Sequence, residues 1–154
     1  MDNRLADRIR KEVNMIGIIG AMEEEVEQIV AAMEVTREET KASMTFKAGK
    51  LSGKDAVIVV SGIGKVNAGI CTQILVDDFN VDCVINTGIA GSLNAAIDIG
   101  DIVISSDVLH HDMDATSFGY PVGQVPRMDT LAFPADQRLI QLAPEACKRV
   151  IPEV

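Results

Sequence analysis

An α/β sandwich on a largely parallel central sheet is the fold the sequence predicts. Three observations carry that expectation. Short apolar runs alternate with stretches of helical spacing, in the order β-α-β-β-α-β. Hydrophobic content is 47% but aromatic content only 3%, so Val, Ile, Leu, Ala and Met fill the core. That mixture suits buried strands covered by helices. The 154 residues fit one domain, and a chain near this length buries about 68–70% of its unfolded surface.

The first strand is Met15–Gly20. A helix follows from about Met22 to Met33, with Met22, Val26, Ile29, Val30 and Met33 at helical spacing and Glu23, Glu24 and Glu27 turned outward. Acids in its first turn also suit the helix dipole. Thr40–Leu51 reads as a strand, Ser52–Asp55 as a turn and Ala56–Ser61 as a buried strand. Gly62–Lys65 is a tight loop before a helix from about Val66 to Asp78. Val81–Asn86 is a strand that opens into Thr87–Ser92, and Asp101–Ser106 is a further strand. A long polar loop spans His110–Pro126, and a last helix covers about Ala135–Ile140, resuming after Pro144. Residues 1–14 mix charges and have no apolar stretch, so they read as an extension or leader rather than a signal peptide.

Net charge is −9. A nucleic-acid partner is therefore disfavoured, because phosphate binding needs a basic face. No apolar run reaches the ~20 residues of a membrane span. Cys71, Cys83 and Cys147 are odd in number and lack Cys-x-x-Cys spacing, which points away from a disulfide framework or zinc site and toward a reducing cytoplasm.

Four segments carry chemical interest. Glu23-Glu24-Glu25 stands where a strand breaks into a helix, the place where open α/β sheets put their ligands. On the pattern alone a solvated helix face is the default; otherwise a carboxylate there caps backbone N–H groups or acts as a base, with at most one of the three catalytic and position favouring Glu25 or Glu24. Gly62-Ile63-Gly64 is half a dinucleotide fingerprint with Asn67 at the third glycine position, so it is a structural turn or a ligand loop. Asn86-Thr87-Gly88-Ile89-Ala90-Gly91 lets backbone approach a flat ligand closely, or packs a strand tightly on its neighbours. His110-His111-Asp112-Met113-Asp114 has metal-ligand residue types, but adjacent histidines share no face, and a hydrogen-bonded loop is the expectation. Phe118 and Tyr120 form the one close aromatic pair, on a loop where an exposed apolar patch would mark a subunit interface.

In combination these segments are far more specific. Gly17-Ile-Ile-Gly-Ala-Met-Glu-Glu-Glu25, Ser61-Gly-Ile-Gly-Lys65, Asn86-Thr-Gly-x-Ala-Gly91, His111-Asp-x-Asp-x-Thr-x-Phe-Gly-Tyr120 and Gly123-Gln-x-Pro126 occur in one order. From Met15 to Val154 the chain resembles the 5′-methylthioadenosine/S-adenosylhomocysteine nucleosidases of the nucleoside phosphorylase/hydrolase superfamily. The resemblance implies a three-layer αβα sandwich with a mostly parallel mixed sheet, and a cytoplasmic homodimer. It implies hydrolysis of the N-glycosidic bond of a 5′-thio-adenosine without metal or cofactor. It places the water-activating carboxylate at Glu25. Met22 and Ile63 would pack on the ribose and 5′-thio side, and Ala90 and Gly91 along the adenine. Phe118 and Pro126 would close the 5′-thio pocket of the partner subunit.

Two departures from that pattern stand out. Ile89 occupies the place of a serine in Asn-Thr-Gly-Ser-Ala-Gly, which removes a hydroxyl that could hold a catalytic acid. A Met-Glu segment for the ribose hydroxyls and a Ser-Asp segment for the general acid have no counterpart in Met15–Val154. The expectation is an N-terminal two-thirds of one nucleosidase domain, at residues 15–154, weakly active at best as written. A nucleosidase for another 5′-substituted purine nucleoside, or a non-catalytic binding and dimerisation fragment, are the alternatives.

Overall fold

A computed structural model describes residues 13–151, in two compact units that divide between Leu93 and Asn94. The extension read at residues 1–14 therefore lies outside the described residues except for Val13 and Asn14. Asn14 and Met15 both donate backbone N–H groups to the Asp82 carboxylate, at 2.8 and 3.2 Å, which fixes where the first strand begins.

The first unit is a five-stranded sheet in the order β2-β3-β4-β1-β5, with β1 Met15–Gly20, β2 Met33–Lys41, β3 Met44–Leu51, β4 Lys54–Val60 and β5 Cys83–Asn86. β1 runs parallel to both β4 and β5, while β3 runs antiparallel to β2 and β4. The sheet is thus mixed, and parallel where it matters for the site. Alternation along the strands sends side chains to two cores. Ile19, Phe46, Val57 and Val59 pack with Cys71, Leu75 and Phe79 of helix α2, Lys65–Phe79. Ile18, Ala56 and Ile58 pack on the other face with Val26, Met33 and, from helix α1 (Glu27–Ala31), Ile29 and Val30. One helix on each face makes the three αβα layers. Burial pushes the Cys71 thiol up to about 11, which leaves it a small apolar packing group.

Sequence and structure differ at three places in this unit. The first helix is shorter than its periodicity predicts: a 3₁₀ turn over Glu23–Glu25, then α1, which ends at Ala31. Met33 does face the core with Val26, but from the first position of a strand. The strand expected at Thr40–Leu51 is instead the end of this strand, β2, a turn at Ala42–Ser43, and β3; the rest of β2 has no counterpart in the predicted order. β2 is an edge strand with Glu34, Arg37, Glu38, Glu39 and Lys41 among its residues, and charge of this kind guards an edge against further pairing. Its hairpin to β3 turns on Ala42 and Ser43, both at positive φ (50° and 63°), without the Asn-Gly pair that signals such turns. The Ser52–Gly53 turn, by contrast, carries its glycine at φ 79°.

The second unit holds a two-stranded ladder of β6 (Asp107–Val108) with β7 (Phe133–Pro134), a 3₁₀ turn over Thr116–Phe118, and helix α3, Gln137–Val150. The predicted strand Asp101–Ser106 is not one here. Residues 101–105 make no ladder, and Ile102, Val103 and Ile104 are exposed. An apolar β-branched run favours a strand only where a neighbour pairs with it. The predicted break at Pro144 is also absent, and α3 runs through it. Asp136 caps that helix, accepting from the Arg138 and Leu139 N–H groups at 2.9 and 3.1 Å. Among the described residues no helix is long and apolar enough to cross a membrane.

Candidate active site

Parallel register brings three strand ends to one edge. Gly20 pairs with Val60 and Ile19 with Asn86, so β4, β1 and β5 finish side by side. The turns that leave them are bonded to their neighbours. Ser61 donates its N–H to the Gly20 carbonyl at 2.9 Å, and Thr87 donates to the Ile19 carbonyl at 2.9 Å. This carboxyl edge of an α/β sheet is where ligands bind in such folds.

Glu25 is the group on which the turns after β1 and β5 converge. Its Oε2 accepts the N–H of Ala21 at 2.7 Å and of Met22 at 3.1 Å, and its Oε1 accepts the N–H of Ile89 at 3.1 Å. The side chain thereby ties the β1 turn to the β5 turn. The Ile89 amide, then the Met22 amide, hold the carboxyl below the usual carboxylate range; partial burial opposes them and the Ala21 amide adds to them. Glu23 and Glu24, its neighbours, are exposed. Of the three glutamates, only Glu25 is built into the edge.

The sign of the consequence follows. A carboxyl whose folded-state pKa is depressed stabilises the fold fully above the ordinary glutamate value and loses that contribution as pH falls through its own lower value. A carbon-detected NMR titration of the Glu25 side chain is expected to show a midpoint below the ordinary 4.5. A midpoint above that value would mean the three amides do not engage it in solution.

The glycine loop after β4 has its own logic. Gly62 and Gly64 take φ of 79° and 106°, which explains both glycines without a dinucleotide. Asn67, at the third fingerprint position, donates its side-chain amide to the Ile63 carbonyl at 2.9 Å and so ties the loop to α2. Ser61, 4% exposed, donates its hydroxyl to the Gly62 carbonyl at 2.8 Å. Ile63 itself is 77% exposed.

Of the residues that the sequence singles out, Met22 and Glu25 lie in the turn after β1, Ile63 in the turn after β4, and Ala90 and Gly91 in the irregular backbone that follows β5. Met22 is half-buried, and Ala90 and Gly91 are exposed. Phe118 and Pro126 belong to the second unit, where both are exposed, Phe118 to 80%. Their loop is ordered by local bonds: Asp114 accepts from the Thr116 N–H and hydroxyl at 3.0 and 2.7 Å, and Gly123 donates to the Met113 carbonyl at 2.7 Å. Thr116 holds the Asp114 carboxyl below its ordinary range, first through its N–H and then its hydroxyl. His110 packs edge-on against Phe133, 6.4 Å between ring centroids. Among the described residues no three His, Cys, Asp or Glu side chains gather as metal ligands.

The residue pattern does not show the contacts of Gly88, Ser61 and Asn67. Only the folded backbone shows that Gly88 faces the Glu25 carboxylate. Nor is the Ile89 side chain what meets Glu25: it is 84% exposed, and the backbone amide makes the bond.

Fold and site together define an α/β domain of the kind that binds a small ligand at the carboxyl edge of its sheet, with one amide-held carboxylate there. The chain belongs to the Phosphorylase superfamily, whose sequence model matches residues 15–154. The 5′-methylthioadenosine/S-adenosylhomocysteine nucleosidase of Pseudoalteromonas translucida is 47% identical over 135 residues, 88% of this chain and 57% of that one. The structure of the nucleosidase of the same name from Colwellia psychrerythraea 34H, in complex with adenine, superposes with a TM-score of 0.86 at 43% identity, covering 92% of this chain and 58% of that one. Futalosine hydrolase of Helicobacter pylori superposes with a TM-score of 0.82 at 30% identity, over 90% of this chain and 59% of that one. The chain spans 55–59% of the length of the first curated relatives it matches.

Proposed function

We propose that the protein hydrolyses the N-glycosidic bond of 5′-methylthioadenosine and S-adenosylhomocysteine, releasing adenine and the 5′-thioribose, with Glu25 positioning and activating the water. The observation that carries this reading is the Glu25 carboxylate, held by three backbone amides at the carboxyl edge of the sheet. The likeness to nucleosidases, one of them in complex with adenine, supports the substrate class.

Glycosidic cleavage passes through an oxocarbenium-like state, positive at the sugar. A fixed anion beside that charge stabilises it without having to reorganise. Strong amide donation lowers a carboxylate's basicity, so Glu25 takes a proton less readily than an ordinary glutamate. The oxocarbenium centre is electrophilic enough that water needs orientation first and deprotonation only as the new bond forms. Glu25 fits that order of demands.

In this reading residues 15–154 form the N-terminal part of one nucleosidase domain in a cytoplasmic homodimer. Met22 and Ile63 contact the ribose and 5′-thio side, Ala90 and Gly91 line the adenine, and Phe118 and Pro126 serve the partner's 5′-thio pocket. The likeness to a futalosine hydrolase favours one second reading, a nucleosidase for a nucleoside with another 5′ substituent.

The test is base release in phosphate-free buffer. Adenine and free 5′-thioribose are the expected products from methylthioadenosine. Base release that requires added inorganic phosphate would overturn hydrolysis in favour of phosphorolysis. Faster release from a nucleoside with a different 5′ group would favour the second reading. Thioadenosine binding in calorimetry without any release would make the protein a binding module.

A further inference from the structure

Gly88 sits against the Glu25 carboxylate. A Cβ built on it would lie 2.7 Å from Glu25 Cδ and 3.0 Å from Oε2, and closer still to Oε1. Its φ of 156° adds a conformation that side chains rarely adopt. Gly91, three residues on, has nothing within 4 Å of a Cβ built on it, so crowding is not general in this loop. The next residue's amide, Ile89 N–H, is the donor to Oε1. Two amides already occupy Oε2, whereas Oε1 receives one. A carboxylate offers about four acceptor positions, two on each oxygen.

We propose that Gly88 is a positioning residue: it admits the Glu25 carboxylate between the β1 and β5 turns, in an orientation that leaves Oε1 with an acceptor position to spare for the attacking water. This rests on the hydrolytic reading only for the water. The placement of the carboxylate is a separate matter and can be tested separately. Any side chain at position 88 would occupy the space of the carboxylate and drive it off the Ile89 amide. Glu25 would then keep its charge but lose its aim. The charged neighbours that bear on Glu25 are few. Glu23 and Glu24 share its turn, and Ala21-Met22 and Asn86–Ile89 carry no charge.

The experiment compares G88A with G91A and places G88A in a double-mutant cycle with E25A. G88A is expected to raise the NMR titration midpoint of Glu25 and G91A to leave it in place. In thermal unfolding G88A should lower Tm by about 4 °C, the scale of one lost hydrogen bond in a domain of this size. In the E25A background the fall should be smaller, because only the backbone strain at position 88 remains there, and the difference between the two falls is the carboxylate's share. With methylthioadenosine as substrate, G88A is expected to lower kcat about 10²-fold, the lower end for a displaced base, with KM nearly unchanged. An unshifted Glu25 titration in folded G88A, or equal Tm losses in both backgrounds, would overturn the assignment. Titration and cycle read the carboxylate's position whether or not base is released. Absence of base release would therefore sink the proposed function and leave the Gly88 assignment standing on its own result.

Discussion

Replacing Glu25 with glutamine is expected to lower kcat for adenine release by 10²–10⁴-fold, the usual contribution of a positioned general base, with a smaller effect on KM. The change is nearly isosteric, so shape survives. What fails is hydrogen-bond polarity. The carboxylate accepts from three amides through both oxygens. A glutamine side chain has only one acceptor oxygen. If that oxygen faces Ala21 and Met22, its NH₂ points at the Ile89 N–H, donor against donor. If it faces Ile89, the NH₂ confronts two donors. Either way the tie between the β1 and β5 turns loosens, and an unpaired donor at a partly buried site is costly. E25Q should therefore also melt earlier than the parent. E25D keeps the charge but is one methylene shorter, and it should recover part of the anion's effect without the bridge. An E25Q protein that releases adenine at the parental rate would remove Glu25 from the chemistry. Steady-state kinetics beside a melting curve distinguishes loss of a base from loss of a fold.

The site was legible in the sequence to the extent that it consists of turns after strands. Met15–Gly20 and the run ending at Asn86 are apolar stretches that stop at glycine or polar residues, and those stops are the site. Gly62 and Gly64 were visible because positive φ leaves a glycine in the sequence. Asn67 and Ser61 leave no such trace: their roles are hydrogen bonds to carbonyls of the same loop, and many polar residues could read the same way. Gly88 is an intermediate case. It is visible as a glycine, but the reason for it is a side chain 63 positions earlier, which only the parallel pairing of β1 with β5 brings alongside.

The same contrast holds for the fold. Strands β1, β4 and β5 are apolar and announce themselves. β2 is mostly charged, and what recruits it to the sheet is pairing with β3 across a two-residue turn that carries no glycine. Even its irregularity is written on the partner. The register shifts between Val35 and Arg37, and a Cβ on Gly49 would collide with the Glu34 backbone at that point. The strand expected at Asp101–Ser106 shows the converse, since its composition is right but the second unit pairs nothing with residues 101–105. Local preference proposes a strand, and a neighbour decides it.

Phe46→Ala is expected to cost the first unit about 3–5 kcal/mol, the range for truncating a buried phenylalanine. Phe46 is fully buried near the start of β3, between Glu39 of β2 and Val59 of β4. Its ring stacks on Phe79 of α2 with centroids 5.3 Å apart and planes at 21°. The Arg37 guanidinium lies over the Phe79 ring, 5.1 Å from its centroid. From Arg37 a chain of charge continues through Glu39 to Lys41, and Lys41 reaches Asp78 of α2 at 2.8 Å. Two kinds of contact therefore join β2 and β3 to the end of α2, one buried and one exposed. The exposed chain is screened by salt and its ions stay hydrated, so it adds little. The stacked rings are out of water, and removing one leaves a cavity beside Phe79 that rigid neighbours on β4 cannot collapse to fill. For a domain of this size the loss corresponds to a Tm lowered by on the order of 10 °C. Melting in high salt separates the two contributions: the deficit of F46A should persist there, because it is packing. A deficit that vanishes with salt, or one below about 1 kcal/mol, would move the anchor of this corner from the rings to the ions.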